Sequence, residues 1–219
     1  MSRWPAALCL AFMARIAKKS GAYHHGDLRR VLLETAVRVV EHEGLSALSL
    51  QALSKRAGVS SGAPYHHFES REQLLAAIAE QGFQLLTAEM KRCAALAGRD
   101  AASELRGLGE GYLRFALAHR GHFRVMFRPE LQDHLSKSCA APGEDSFDML
   151  RASVQRCQAE GLARPGDPMP LVLVAWAGVH GASTLWIDGS LGSKRMVPSE
   201  DILVDMVART LVELITGKR

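Results

Sequence analysis

The stretch Leu50-Gln51-Ala52-Leu53-Ser54-Lys55-Arg56-Ala57-Gly58-Val59-Ser60-Ser61-Gly62-Ala63-Pro64-Tyr65-His66-His67-Phe68 decides how this chain folds. Ser49 can cap a short helix through Arg56, whose apolar residues Leu50, Leu53 and Ala57 recur at helical spacing. Gly58 ends that helix, because glycine takes a positive φ at no steric cost. Val59 plugs the core, and Ser60 or Ser61 caps a second short helix that ends near Phe68. Ala52 and Ala57 are small enough to let the two helices cross closely. Such a pair is a helix-turn-helix, whose second helix turns its N-terminal residues toward base edges in the major groove.

Helical signals continue on both sides. Upstream, Leu28, Val31, Leu32, Thr35, Ala36, Val39 and Val40 share one face of a helix that Gly44 stops. Downstream, Ser70-Arg71-Glu72-Gln73 is a capping box opening a long helix to about Ala97. Further helices are expected over about 100–119, 122–135, 144–160, 169–188 and 199–216. The breaks are Gly98, Gly121, Pro142-Gly143, Gly161 with Pro165 to Pro168, and Gly189 to Pro198. No β-alternating run of useful length interrupts them. The expected fold is all-α, about nine helices: an arm over 1–22, a three-helix DNA-binding domain over 23–69, and a helical bundle over 70–219.

Composition supports a folded protein. The 219 residues are 47% hydrophobic and 23% charged, which excludes a disordered chain and a collagen-like repeat. Cys9, Cys93, Cys139 and Cys157 contain no C-x-x-C pair, so reduced thiols in a cytoplasmic protein are expected. The net charge of +4 is unevenly placed. Residues 14–70 hold eight Lys or Arg against five acids, while 71–219 hold eighteen of each. A first third that meets a polyanion would look like this.

The opening Trp4 to Met13 is apolar enough to resemble a signal peptide, but Arg15, Lys18 and Lys19 follow it on the wrong side for secretion. Translation starting at Met13, or a poorly ordered arm, reads better. Leu171 to Ile187 carries no formal charge but is short for a membrane span and contains polar residues. Burial by its own domain and by a partner chain is the preferred reading, with no membrane. Neither His24-His25 nor His66-His67 has metal spacing, and His119 with His122 lacks a carboxylate or cysteine nearby in sequence. No metal and no cofactor are expected. Gly-rich phosphate loops, G-x-S-x-G and H-E-x-x-H are all missing, so no enzymatic activity is expected.

From Tyr23 to Leu75 the chain resembles the tetracycline-repressor (TetR) family of one-component regulators. The carrying residues are Glu43-Gly44-Leu45, Leu50 to Ser54, Ala57 to Ser60, Gly62, Tyr65 to Phe68 and Ser70 to Leu74. Trp176-x3-His180-Gly181 adds a match to the WHG-type effector domains of some members. The resemblance implies that Tyr65 and His67 touch phosphates, with Ser49 and Arg71 anchoring the flanking helices to the DNA backbone. Ser60, Ser61, Gly62, Ala63 and His66 would lie nearest the bases. Hydroxyls, a phenol and helix N-terminal N–H groups suit phosphate oxygens. Pro64 departs from the pattern, and Tyr65 is alternatively a packing residue. The basic arm either reaches the minor groove or is a solvated tail.

In such a regulator, Tyr112, Phe115, His119, Phe123, Met126 and Phe127, facing Trp176, His180 and Thr184, would line an effector pocket; equally, they are plain core. The expectation is therefore a homodimer, paired through about 169–188 and 199–216. It would bind a near-palindromic double-stranded DNA operator as a repressor and release it on binding a small apolar effector. Two alternatives stand beside it: a cysteine-based redox regulator on the same fold, and a helical enzyme or carrier with a vestigial DNA-binding head.

Overall fold

The computed structural model describes residues 25–134, 137–193 and 199–217. The arm, with Met13, Arg15, Lys18 and Lys19, lies outside them. Among the described residues the structure is entirely helical. The head consists of α1 (His25–Glu43), a 3₁₀ turn at Leu45–Ala47, α2 (Leu50–Ala57) and a second 3₁₀ turn at Ala63–His66. The bundle is α3 (Arg71–Ala97), α4 (Ala101–Ala118), α5 (Arg120–Met126), a 3₁₀ turn at Pro129–His134, α6 (Lys137–Ala159), α7 (Met169–Ile187), α8 (Ser190–Ser193) and α9 (Glu200–Thr216).

The caps fall where side-chain chemistry puts them. The hydroxyls of Ser49, Ser70 and Ser199 and the carboxylate of Asp100 each accept an N–H three residues on, opening α2, α3, α9 and α4. Gly58 closes α2 at φ 69°. Several boundaries differ from the sequence reading: Gly121, expected as a break, lies inside α5, and α8 occupies part of the expected break from Gly189 to Pro198. The helix expected over 122–135 is split into α5 and a 3₁₀ turn, because Pro129 has no N–H to continue the ladder. Conversely, α6 begins at Lys137 and its backbone stays helical through Pro142-Gly143, expected as a break.

One apolar core runs from the head into the bundle, through Leu32, Leu53, Phe68 and Leu74 to Leu108, Phe115 and Met126. A second, at the far end, holds Leu105, Val154, Cys157, Val172 and Ile215. α3 and α4 pack at close range along Gly107 and Gly111, where a Cβ would lie 2.7 Å from Ala94 Cα and 2.6 Å from Met90 Cα. Head and bundle meet a second time where Gly121 of α5 presses on the Val37 carbonyl of α1 and Arg124 donates to the Glu41 carbonyl at 3.0 Å. α9 is fastened to α4 and α5 by Arg106–Asp205 at 2.7 Å, Arg114–Asp201 at 3.4 Å and Arg120–Glu200 at 2.5 Å.

Candidate nucleic-acid interface and effector cavity

The segment after Gly58 is where the structure departs most from the sequence reading. In place of a helix from Ser60 or Ser61 to Phe68, only Ala63–His66 is helical, and it is 3₁₀. Ala63, Tyr65 and His67 donate to the carbonyls of Ser60, Gly62 and Pro64 at 3.0–3.1 Å, each three residues back. Pro64 explains this. Its side chain is buried, it supplies no N–H, and its carbonyl accepts from both His67 and Phe68. The proline is thus an inward anchor that pushes its neighbours outward. Ser60, Ser61, Gly62, Tyr65 and His66 are exposed, with Ala63 and His67 half-buried, so the base-facing and phosphate-facing candidates share one exposed turn. Tyr65 is 55% exposed, which disfavours a packing role. Phe68 is core, with the Arg29 guanidinium 5.3 Å over its ring.

Ser49 is exposed at the start of α2 while its hydroxyl accepts from Ala52 at 3.0 Å. Arg71 is engaged inside the protein. Its Nε donates to the Leu48 carbonyl and one terminal nitrogen donates to the Leu45 carbonyl, both at 2.9 Å. The other terminal nitrogen lies 4.0 Å from Glu72. The guanidinium therefore clamps the first 3₁₀ turn to the start of α3, which sequence spacing could not reveal.

In the bundle, a cavity of about 90 Å³ lies between α3, α4, α6, α7 and α9. It admits more than one water yet is far smaller than a typical ligand site of ~300 Å³ or more. Three expected residues line it: Tyr112, Phe127 and Trp176. Phe115 and Met126 are instead core at 1% exposure, with the Met126 side chain packed over Gly82 of α3. His119 is half-buried and stacks on Phe115 at 5.3 Å. Phe123, His180 and Thr184 line a separate outer cleft of about 340 Å³, which shares Phe127 with the cavity. The ring of Phe127 stands 4.7 Å from His180, 5.5 Å from Phe123 and 5.6 Å from Phe83.

The sequence reading missed Leu86, Leu108, Val179, Ala208 and Leu211, whose apolar spacing is indistinguishable from core. One signal existed in the small residues. Gly109 faces Ala208 and Val179, and a Cβ there would make only ordinary contacts of 3.7 and 3.8 Å, so two short residues leave the space open.

Burial disfavours the charged forms of the titratable groups in this part of the bundle. Burial pushes the Tyr112 phenol well above its usual range, and it shares a 2.8 Å hydrogen bond with His180 Nδ1. Burial also lowers the pKa of His180. His122 is held down to about 4, by burial first and by the neighbouring His119 second; its Nε2 meets Gln81 at 3.1 Å while its Nδ1 has no partner. Cys93 and Cys157 are buried, with thiol pKa values raised chiefly by that burial.

Comparison with known proteins gives a consistent picture. The family described as "Bacterial regulatory proteins, tetR family" matches residues 32–78, and "Tetracyclin repressor-like, C-terminal domain" matches 105–211. An uncharacterized HTH-type transcriptional regulator of Bacillus subtilis, YobS, is 26% identical over 100 residues, covering 46% of this chain and 51% of that one. The chain thus spans about half the length of the first curated relative it matches. A Rhodococcus sp. RHA1 protein of unknown function is 36% identical with a TM-score of 0.75, over 90% of this chain and 100% of that one. AibR, solved with isovaleryl coenzyme A and operator DNA, shares the fold at a TM-score of 0.64 and 19% identity, over 86% and 97% of the two chains.

Proposed function

From its place in the TetR family of bacterial regulatory proteins, to which this chain belongs, we propose that it is a DNA-binding transcriptional regulator, a repressor controlled by a small effector. The observation that carries the reading is the outward turn Ser60–His66, held on the buried Pro64 beside a well-capped α2. Residues 23–69 act as the DNA-binding domain and 70–219 as the effector and dimerisation domain. Tyr65, His67 and Ser49 contact phosphates, while Ser60, Ser61, Gly62, Ala63 and His66 approach base edges. Arg71 contributes chiefly by holding the head together, with its outer nitrogen offered to a phosphate.

The dimer forms through α7 and α9. Val174 and Leu173 are 52% and 48% exposed, and Leu185, Ile202, Met206 and Leu214 join them. α7 is also long and apolar enough to cross a membrane, but a two-fold partner covers such a face equally well. The same two helices turn Trp176, Val179, Ala208 and Leu211 toward the cavity, so ligand and partner act on opposite faces of one layer. The cavity receives the apolar part of the effector; AibR, which shares the fold, is itself solved with a small molecule, isovaleryl coenzyme A, and operator DNA. Among the described side chains, Cys93 and Cys157 are buried thiols rather than exposed thiolates, which disfavours the redox alternative at these two positions; Cys9 and Cys139 lie outside the described side chains.

The reading is tested by quantitative gel shift against the DNA upstream of the protein's own gene. Wild-type protein should bind as a dimer, while Tyr65→Ala should weaken binding by about tenfold on every sequence. Equal binding to unrelated DNA at all salt concentrations would overturn it.

A further inference from the structure

Two hollows meet at Phe127, and they differ in chemistry. Among the described residues, no Lys, Arg or His lines the inner cavity. The outer cleft, between the end of α5, the following 3₁₀ turn and the end of α7, is lined by Arg124, Arg128, Glu130, Thr184, His180 and Asp188 among others. Phe127 lines both, and the Tyr112–His180 hydrogen bond of 2.8 Å runs from one lining to the other, so movement of these rings is what would join the two spaces. A ligand confined to the inner cavity would be only a few atoms long. One that spans both would have an apolar tail inside and a polar group outside.

The donors in the cleft are incompletely used. Arg128 gives one terminal nitrogen to Glu130 at 2.5 Å, but its Nε–H is buried with no acceptor. A buried, unpaired donor on a cation favours an incoming anion. Arg124 is exposed and commits one nitrogen to the Glu41 carbonyl at 3.0 Å. Asp188 and Glu130 leave the cleft formally neutral, so selection rests on the unused arginine donors and not on bulk charge.

Resting on the effector reading above, we propose that the outer cleft is an anion subsite. The effector is then an apolar tail bearing a carboxylate or similar anionic group, held by Arg128 and Arg124. Arg124 is tied to the head directly, and Arg128 only through Glu130. Arg124 holds the last turn of α1 through Glu41, and Arg128 holds Glu130, whose carboxyl is lowered first by Arg128 and, more weakly, by the charge of Arg71. An anion that takes up Arg124 releases the end of α1. One that takes up Arg128 frees Glu130 beside the clamp on Leu45 and Leu48. The subsite thereby gives the ligand a different affinity for the head-docked and head-released states, which is what a population shift requires.

The test uses the full chain and three probes with the same eight-carbon tail: octanoate, octanol and octylamine. Binding is followed by calorimetry and by the emission of Trp176. Octanoate should bind about tenfold or more tightly than octanol, and octylamine most weakly. Arg128→Gln should remove the preference for octanoate while leaving octanol affinity unchanged, and Arg124→Gln should reduce it. Melting curves confirm that both variants fold. Equal binding of octanoate and octanol, tighter binding of octylamine, no binding of any probe, or an unchanged ratio in Arg128→Gln would each overturn the subsite. Loss of specific DNA binding in probe-free wild type would instead overturn the regulator reading, and the octanoate-to-octanol ratio would still decide the subsite.

Discussion

Replacing Arg71 by alanine separates two roles that one side chain combines. The guanidinium makes two 2.9 Å bonds to the Leu48 and Leu45 carbonyls, 23 and 26 residues away. A hydrogen bond from a charged donor is worth ~1.5–3 kcal/mol where it is buried. The Arg71 side chain is 35% exposed, so water recovers part of that loss and the pair together stabilise by about 2 kcal/mol. For a chain of this size, that predicts a melting temperature lower by roughly 4–8 °C. The outer nitrogen, 4.0 Å from Glu72, is the one left for a phosphate. Gel shifts from low to high salt should therefore show a log–log slope shallower by about one unit, with base preference unchanged. Arg71→Lys should recover most of the slope and little of the stability, because an ammonium cannot fork onto both carbonyls. An unchanged melting temperature in Arg71→Ala would refute the clamp, and an unchanged slope would refute the phosphate contact.

Three further outcomes are expected. His122 is held down to about 4, while its unfolded value is ~6.5, so between these values the unfolded chain binds more protons. Stability should fall by about 2 kcal/mol from pH 7.5 to pH 5, a loss visible in thermal melts and flattened in His122→Gln. Neighbouring glycines of α4 should respond with opposite sign: Gly111→Ala drives a methyl to 2.6 Å from Met90 Cα and should cost about 2 kcal/mol, whereas Gly109→Ala enters the cavity without a clash and should add about 1 kcal/mol in chemical denaturation. Val174→Lys should give a monomer by light scattering at micromolar concentration and abolish tight DNA binding; a dimer that still binds DNA would place the interface elsewhere.

Local chemistry made most of the fold legible. Ser49, Gly58 and Ser70 cap or terminate helices through atoms within four residues, and such signals survive without knowledge of the tertiary structure. The recognition segment reads from sequence as a helix from Ser60 or Ser61 to Phe68, and its reduction to a 3₁₀ turn was not legible, because whether Pro64 faces inward depends on the packing around it. The reading of Arg71 as a DNA contact rests on the family resemblance, which says nothing of its two carbonyl partners on a distant turn. The cavity was half legible. Tyr112, Phe127 and Trp176 carry the aromatic signature of a site, while Leu108, Ala208 and Leu211 look like any core residue. Phe115 and Met126 carry the same signature and pack solid, since helical spacing places a residue on a face without saying what that face meets.

The central claim is that the turn Ser60–His66 reads DNA in a two-fold pair. Selection of bound fragments from a random-sequence pool, followed by footprinting of the enriched DNA, tests it most directly. The account predicts one near-palindromic motif with half-sites about ten base pairs apart, and Ser61→Ala or His66→Ala should change preference at matching positions in both halves. Enrichment of no motif, or of a motif that neither substitution alters, would contradict it.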